Sequence, residues 1–158
     1  MKTCCIAGHQ DIPRNKTEFV KKRLREEIEQ AVEDGYHHFI STFTDGAGLY
    51  GAEIVTDIIS RNPAITLEAA FVDIAHARRV LEDHQALPLL LICNIIGNHT
   101  DLENPGDTLR GNRFIANQSG RLIVVYQDRE QGEVNNDSTV QLMRFAHVLE
   151  LEERIIEV

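Results

Sequence analysis

Cysteine is scarce, positive charge is in the minority, and no apolar run is long. The three cysteines, Cys4, Cys5 and Cys93, contain no CxxC pair and leave an odd count. Cys4 and Cys5 sit together in an apolar run and read as buried small hydrophobes of a cytoplasmic protein. Lysine and arginine number 16 against 25 acidic residues, a formal net charge of -9. Broad nucleic-acid or acidic-membrane binding needs a basic face, so neither partner is expected. A small anionic ligand stays open, because local N–H groups bind anions whatever the net charge. No apolar segment reaches the length of a membrane span, and the start, Met1 to Gly8, reads as the first fold element and not a signal peptide. The proline, glycine or charge excess of a disordered chain is missing too. With 42% hydrophobic residues over 158 positions, one domain spanning 1–158 is expected.

What is present is an alternation of strand and helix patterns. Cys4–Ala7 is a short apolar run ending at Gly8, then His9, Gln10 and turn residues Asp11 to Arg14. Asn15 and Glu18 have capping-box spacing ahead of a helix to about Glu33, where Val20, Leu24, Ile28 and Val32 recur every fourth residue. Tyr36–Ser41 reads as the second strand, Gly48–Ser60 as the second helix, Ile65–Val72 as the third strand and Asp73–Gln85 as the third helix. The apolar run Leu87–Ile96 reads as a fourth strand, Gly97–Leu109 as loop, and Arg110–Gln118 as a short helix. Leu122–Tyr126 is the clearest strand; Gln127–Asp137 is loop-like, Thr139–Glu150 helical, and Arg154–Val158 a last strand. Near-continuous apolar strands alternating with helices predict an α/β fold: a single-domain, Rossmann-like, three-layer arrangement around a mainly parallel sheet of about six strands. Ligands of such sheets bind beyond the C-terminal strand ends. The loops gathered there are Gly8–Arg14, Ser41–Gly48, Asp73–His76, Gly97–Leu109 and Gln127–Asp137.

The stretch from Phe39 to Val55 organises the rest. A strand that stops in small residues, Ser41, Thr42, Gly46 and Gly48, and opens a helix leaves backbone N–H groups and a helix dipole aimed at one spot. Phosphates and carboxylates bind such places. An ordinary β-to-α turn with glycine at its corner has the same pattern.

Three segments together resemble one family. Gly8-His9-Gln10-Asp11-Ile12-Pro13 is similar to the "GHRP" that follows strand one in YpsA-like proteins. Phe39-Ile40-Ser41, then Gly46 and Leu49 to Glu53, resembles their "FISGGAxGxDxxAAE". Asn112 to Ser119 followed by Leu122 to Tyr126 resembles "RNRYMVDxSDxLIAVYDG". The order and spacing run over almost the whole chain. YpsA-like proteins belong to the SLOG superfamily, with the Lonely Guy phosphoribohydrolases and the DprA recombination mediator. The resemblance implies a Rossmann-like domain with a pocket for a nucleotide or nucleotide-derived ligand, and a homodimer paired through helices. It places Gly8, His9, Ser41, Thr42, Gly46, Glu53, Asn112 and Arg113 at the ligand.

The departures bear on chemistry. The family arginine of "GHR" is Gln10; the paired glycines are replaced in Ser41-Thr42-Phe43-Thr44; the family aspartate is Gly48; the arginine before Asn112 is Gly111. Phe43 would crowd or reshape an anion cradle that glycines keep open. After strand five the family's "GGT" loop is replaced by a segment with one glycine and several acids, Gln127 to Thr139. Like charge there repels phosphate. These losses favour a non-catalytic or weakly catalytic binding domain. The alternatives are a phosphoribohydrolase-type N-glycosidase on nucleoside monophosphates, for which Glu53 and Glu133 are the available carboxylates, and an interaction protein with a vestigial pocket. Catalytic residues stay unassigned, since triads are recognised by geometry.

Several residues have a second, plainer reading. His9 is a ligand donor or a hydrogen-bonded turn histidine. Arg113 clamps an anion or makes a surface ion pair. Glu53 faces the ligand or complements the helix dipole. Seven histidines raise a metal, but His37 and His38 are adjacent on a strand and no HxxxH or Cys/His set exists, so no metal and no cofactor beyond a nucleotide-derived ligand is expected.

Overall fold

The first strand is apolar on both sides, and the sheet uses both. The structure, a computed structural model, describes residues 2–128 and 137–158. In β1 (Lys2–Gly8), Cys4 and Ile6 enter one core, while Cys5 and Ala7 enter the other. Five more strands complete one sheet: β2 (Tyr36–Ser41), β3 (Thr66–Phe71), β4 (Ile95–Asn98), β5 (Arg121–Tyr126) and β6 (Glu152–Glu157). Every ladder is parallel, in the order β4-β3-β2-β1-β5-β6. A parallel strand needs a crossover, and helices supply it. On one face, α1 (Thr17–Glu33) and α2 (Ala47–Arg61) pack with α3 (Ile74–Glu82) and α4 (Ala86–Ile92); on the other lie α5 (Leu109–Gln118) and α6 (Ser138–Val148). The fold is therefore the α/β, Rossmann-like, three-layer arrangement expected. Among the described residues no helix is long and apolar enough to cross a membrane.

The chain steps outward from β1 to β4, then returns to β5 on the far side of β1. That reversal puts the topological switch between β1 and β5, where parallel sheets open a crevice at their C-terminal ends. The amide of His9 extends the join, donating to the Val125 carbonyl at 3.1 Å.

Four readings of the sequence are corrected. The run Leu87–Ile96 is not one strand: it is α4 followed by the short edge strand β4. Pro88 is in the first turn of α4, where a helix has no use for its missing N–H. The strand begins only where Asn94 takes hold of β3, its N–H donating to the Leu67 carbonyl at 2.9 Å and its Oδ1 accepting from the Leu67 N–H at 3.1 Å. Asn15 does not cap α1. It lies in a 3-10 turn, Arg14–Lys16, and the residue before α1 is Lys16, which makes no side-chain cap. The loop expected from Gly97 starts two residues later, after β4, and the last strand starts earlier, at Glu152. Most of the loop Gln127–Asp137, Glu133 included, lies outside the described residues.

Cys4 is fully buried, and burial drives its thiol well above the ordinary range; burial likewise pushes Cys5 up to about 11. Both stay protonated and unreactive at neutral pH. His99, just past β4, stacks on Phe114 at 3.7 Å between ring centroids, and its buried Nε2 has no hydrogen-bond partner. Burial, joined by Arg110, holds its pKa below the ordinary histidine value, with Glu68 opposing. The unfolded chain then takes up this proton before the folded one, so stability falls as pH drops below about 6.5. Replacing His99 by Phe, which can keep the stack, should flatten the pH dependence of unfolding between pH 7 and 5. Chemical denaturation of the pair across that range checks it.

Candidate functional site

A cavity of about 240 Å³ opens at the switch. All five strand-end loops reach it: Gly8, His9 and Gln10; Thr42 and Thr44; Asp73 and His76; Thr108; and Asp137. Asn112 of α5 and Ser138 and Thr139 of α6 complete its polar wall. Its size is below the roughly 300–1,000 Å³ of sites that enclose a drug-sized ligand. A larger apolar groove of about 530 Å³ lies between α6 and β6 and includes Met143 and Val148, but it is off the strand ends and holds few polar groups.

His9 and Asp137 form the best-defined pair. His9 is buried, and its Nδ1 lies 3.0 Å from Asp137 Oδ2. Carboxylate oxygens accept, so Nδ1 carries the proton. The other oxygen of Asp137 caps α6, accepting from the N–H groups of Thr139 at 2.7 Å and Val140 at 3.4 Å. Tyr126 flanks the imidazole, with ring centroids 5.4 Å apart.

Helix N-termini converge here, and two of them, α3 and α6, are capped by aspartates. Asp73 caps α3, accepting from the Ala75 N–H at 2.9 Å. Asp137 does the same for α6. At α2 the Leu49 N–H donates to the Thr44 carbonyl at 2.8 Å, and the Thr42 and Thr44 hydroxyls lie 3.0 Å apart over the helix start. A Cβ on Gly48 would meet Thr44 Oγ1 at 2.7 Å. Phe43 explains this shape. Its φ of 59° is left-handed, costly for a bulky side chain. Three contacts hold it: its N–H donates to Ser41 Oγ, its carbonyl accepts from His76 Nε2 at 2.9 Å, and its buried ring packs near Phe71. The ring points into the core and not into the cavity; it is the threonines beside it that occupy the cradle. No lysine or arginine is among the described residues lining the cavity, whereas two aspartates are.

Of the eight residues placed at the ligand by resemblance, Gly8, His9, Thr42 and Asn112 line the cavity. Ser41 lies just behind it, fully buried, its Oγ donating to the Gly48 carbonyl at 2.7 Å. Gly46 holds the turn before α2, at φ 76°, close under the carbonyls of His9 and Gln10. Glu53 and Arg113 are exposed and off the cavity. α5 buries Gly111, Asn112, Ile115 and Ala116, so a residue one step beyond Asn112 turns to solvent. Asn112 also latches two helices: its Nδ2 lies 2.8 Å from Gln141 Oε1 and 2.9 Å from Ser138 Oγ. Gly8 has a packing role, since a Cβ there would meet Ala47 Cβ at 2.6 Å and the Val125 carbonyl at 2.8 Å. Sequence reasoning missed Thr44, Asp73, His76 and Asp137 as individuals, although it named the loops that carry them. Among the described residues no three His, Cys, Asp or Glu side chains converge to hold a metal ion.

Comparison with protein-family models finds no match, and comparison with curated proteins finds none similar.

Proposed function

We propose that this protein binds a nucleotide-derived small ligand at the C-terminal end of its sheet, through the uncharged, hydroxyl-bearing nucleoside part and not through phosphate. One observation carries the reading: the cavity at the switch is lined by Asp73, Asp137, Thr42 and Thr44, with no lysine or arginine among its described residues. Carboxylates accept from hydroxyls, as the acidic residue of dinucleotide sites accepts from a ribose. The same carboxylates repel a phosphate dianion, and they also cap the two helices, α3 and α6, whose donors would offset this. The resemblance to YpsA-like proteins supports the ligand class. The binding is non-catalytic or weakly catalytic: Glu53, one carboxylate considered for hydrolysis, is exposed away from the cavity, and Glu133 lies outside the described residues.

Thermal unfolding against nucleosides, their monophosphates, ADP-ribose and NAD tests this. A ligand at a hundredfold its dissociation constant adds about 2.7 kcal/mol, or roughly 5–10 °C in a domain of this size. Nucleosides should shift the transition more than their monophosphates, and Asp73→Asn should narrow that difference. A larger shift with monophosphates would overturn the phosphate-excluding reading. No shift with any compound would leave an interaction protein with a vestigial pocket, and release of ribose 5-phosphate would identify a hydrolase.

A further inference from the structure

Helix α1 is charged against its own dipole. A helix favours acids near its start and cations near its end. Residues 14–25, the turn before α1 and its first half, hold six basic side chains and one acid, Glu18. Residues 26–34 hold five acids and no base. Outside 14–25 the whole chain has ten basic residues against 24 acidic ones. The net charge of -9 therefore conceals one basic surface.

Part of that charge is neutralised by the fold. Arg25 reaches Asp57 of α2 at 3.1 Å and Glu29 at 3.6 Å, and Arg23 reaches Glu26 at 2.9 Å. Lys21 lies over the Tyr50 ring, 4.8 Å from its centre. Lys16 and Lys22 are exposed and have no ion-pair partner among the described residues. Both stand beside Phe19, which is 45% exposed. Lys16 Nζ is 5.8 Å from the centre of that ring. Lys22 and Arg23, three and four residues on, neighbour it on the next turn. The core stripe of α1, Val20, Leu24, Ile28 and Ala31, does not include Phe19. An open aromatic ring among cations offers an apolar contact and charge together, and the helix dipole is opposed to keep it so.

Charge and length select the occupant. The basic stretch extends about 20 Å along the helix and its leading turn. Roughly six extended residues span that distance. A membrane surface or a long nucleic-acid strand would run on over the acidic remainder of the chain and be repelled there. A short acidic segment ends before it does, and charges more than about 8 Å away are screened at physiological salt.

We infer that the start of α1 docks a short acidic segment of a partner protein, with an apolar residue of that segment on the Phe19 ring and its carboxylates on Lys16, Lys22 and Arg23. No residue of α1 lines the cavity at the switch, so this surface does not rest on the ligand reading.

Fluorescence anisotropy of a labelled peptide, four glutamates around one leucine, tests this on the full chain. The parent should bind it at low salt and release it as salt rises. Lys16→Gln with Lys22→Gln should weaken binding about tenfold, the worth of two exposed ion pairs. Phe19→Ser should weaken it several-fold without changing the salt dependence. The double variant should melt no lower than the parent, because it removes cations from the start of a helix. Arg144→Gln, an exposed cation on α6, should bind like the parent. A peptide that fails to bind the parent, binding that survives the double variant, equal loss with Arg144→Gln, or tighter binding of oligothymidylate or of phosphatidylserine vesicles would each overturn the proposal.

Discussion

A Gly111→Ala variant should unfold several degrees below the parent. The added Cβ would lie 2.3 Å from Val72 Cγ1, 2.6 Å from Val72 Cβ and 2.9 Å from Val72 Cα. A rotamer change can move the first of these atoms, but not the other two. Helix α5 would have to lift away from the end of β3, and the hydrogen bonds of Asn112 to α6 resist that movement. Alanine is the better helix former by about 1 kcal/mol. Overpacking in a core costs typically 1–3 kcal/mol and sometimes more, and contact with backbone puts this site at the upper end. The net loss should be about 2 kcal/mol, or roughly 4–8 °C. Gly120→Ala is the control, since its nearest neighbour would be 3.6 Å away. An unchanged melting temperature for Gly111→Ala would mean that α5 is not seated on Val72. The same contact accounts for the missing arginine before Asn112: no side chain of any kind fits there.

Arg121→Ala should be at least as damaging. Arg121 is 3% exposed at the start of β5, its guanidinium 4.6 Å from the centre of the Tyr36 ring. Its Nη2 donates to Asp34 Oδ2 and Glu152 Oε2, both at 2.8 Å. Burial opposes its charge, and these carboxylates overcome the opposition and raise its pKa. Both partners are partly exposed, so they rehydrate when the arginine goes, and the ion pairs account for a minor share of the loss. The greater share is the packing of a buried long side chain, about 3 kcal/mol. A loss below about 1 kcal/mol would show that Arg121 only decorates the surface. The pH dependence has a definite sign. Hydrogen bonds from Arg121 first, then from Gln30 and Arg154 respectively, lower the pKa values of Asp34 and Glu152. Their contribution is whole above the ordinary carboxylate range and is lost as pH falls through the lowered values, below about pH 4. The gap between parent and variant should therefore shrink as pH falls from 5 towards 3.

The sequence showed its architecture where one physical rule acted alone. β2 matches its expected bounds because Asp34-Gly35 stops the helix before it and Thr42 to Gly46 ends the strand. The Leu87–Ile96 run misled because it is apolar without period, and over such a length helix and strand look alike. Pro88 read only as a break in that run, whereas it sits in the first turn of a helix. The cavity was legible as a set of loops, since strand polarity alone gathers the C-terminal ends. Its individual residues were not: whether Asp73 and Asp137 cap helices or line a pocket depends on the crossing of elements, and here they do both. Glu53 was placed by motif. The packing of α2 turns it outward beside Asp57 and Ser60, away from the buried Ala52 and Val55.

Because β1, the earliest in the chain of the six strands described, lies inside the sheet between β2 and β5, synthesis and structure run out of step. Cys5 donates to the Arg121 carbonyl across 116 residues, so β1 waits, apolar on both faces, while most of the chain leaves the ribosome. The half from β1 to β4 can assemble during that interval; the partner on its other side cannot. A nascent or truncated chain lacking β5 presents an unguarded central edge, the kind that chaperones cover and that aggregates if they do not. The crevice between β1 and β5 is among the last features to exist, so nothing that depends on it can help the chain to begin folding.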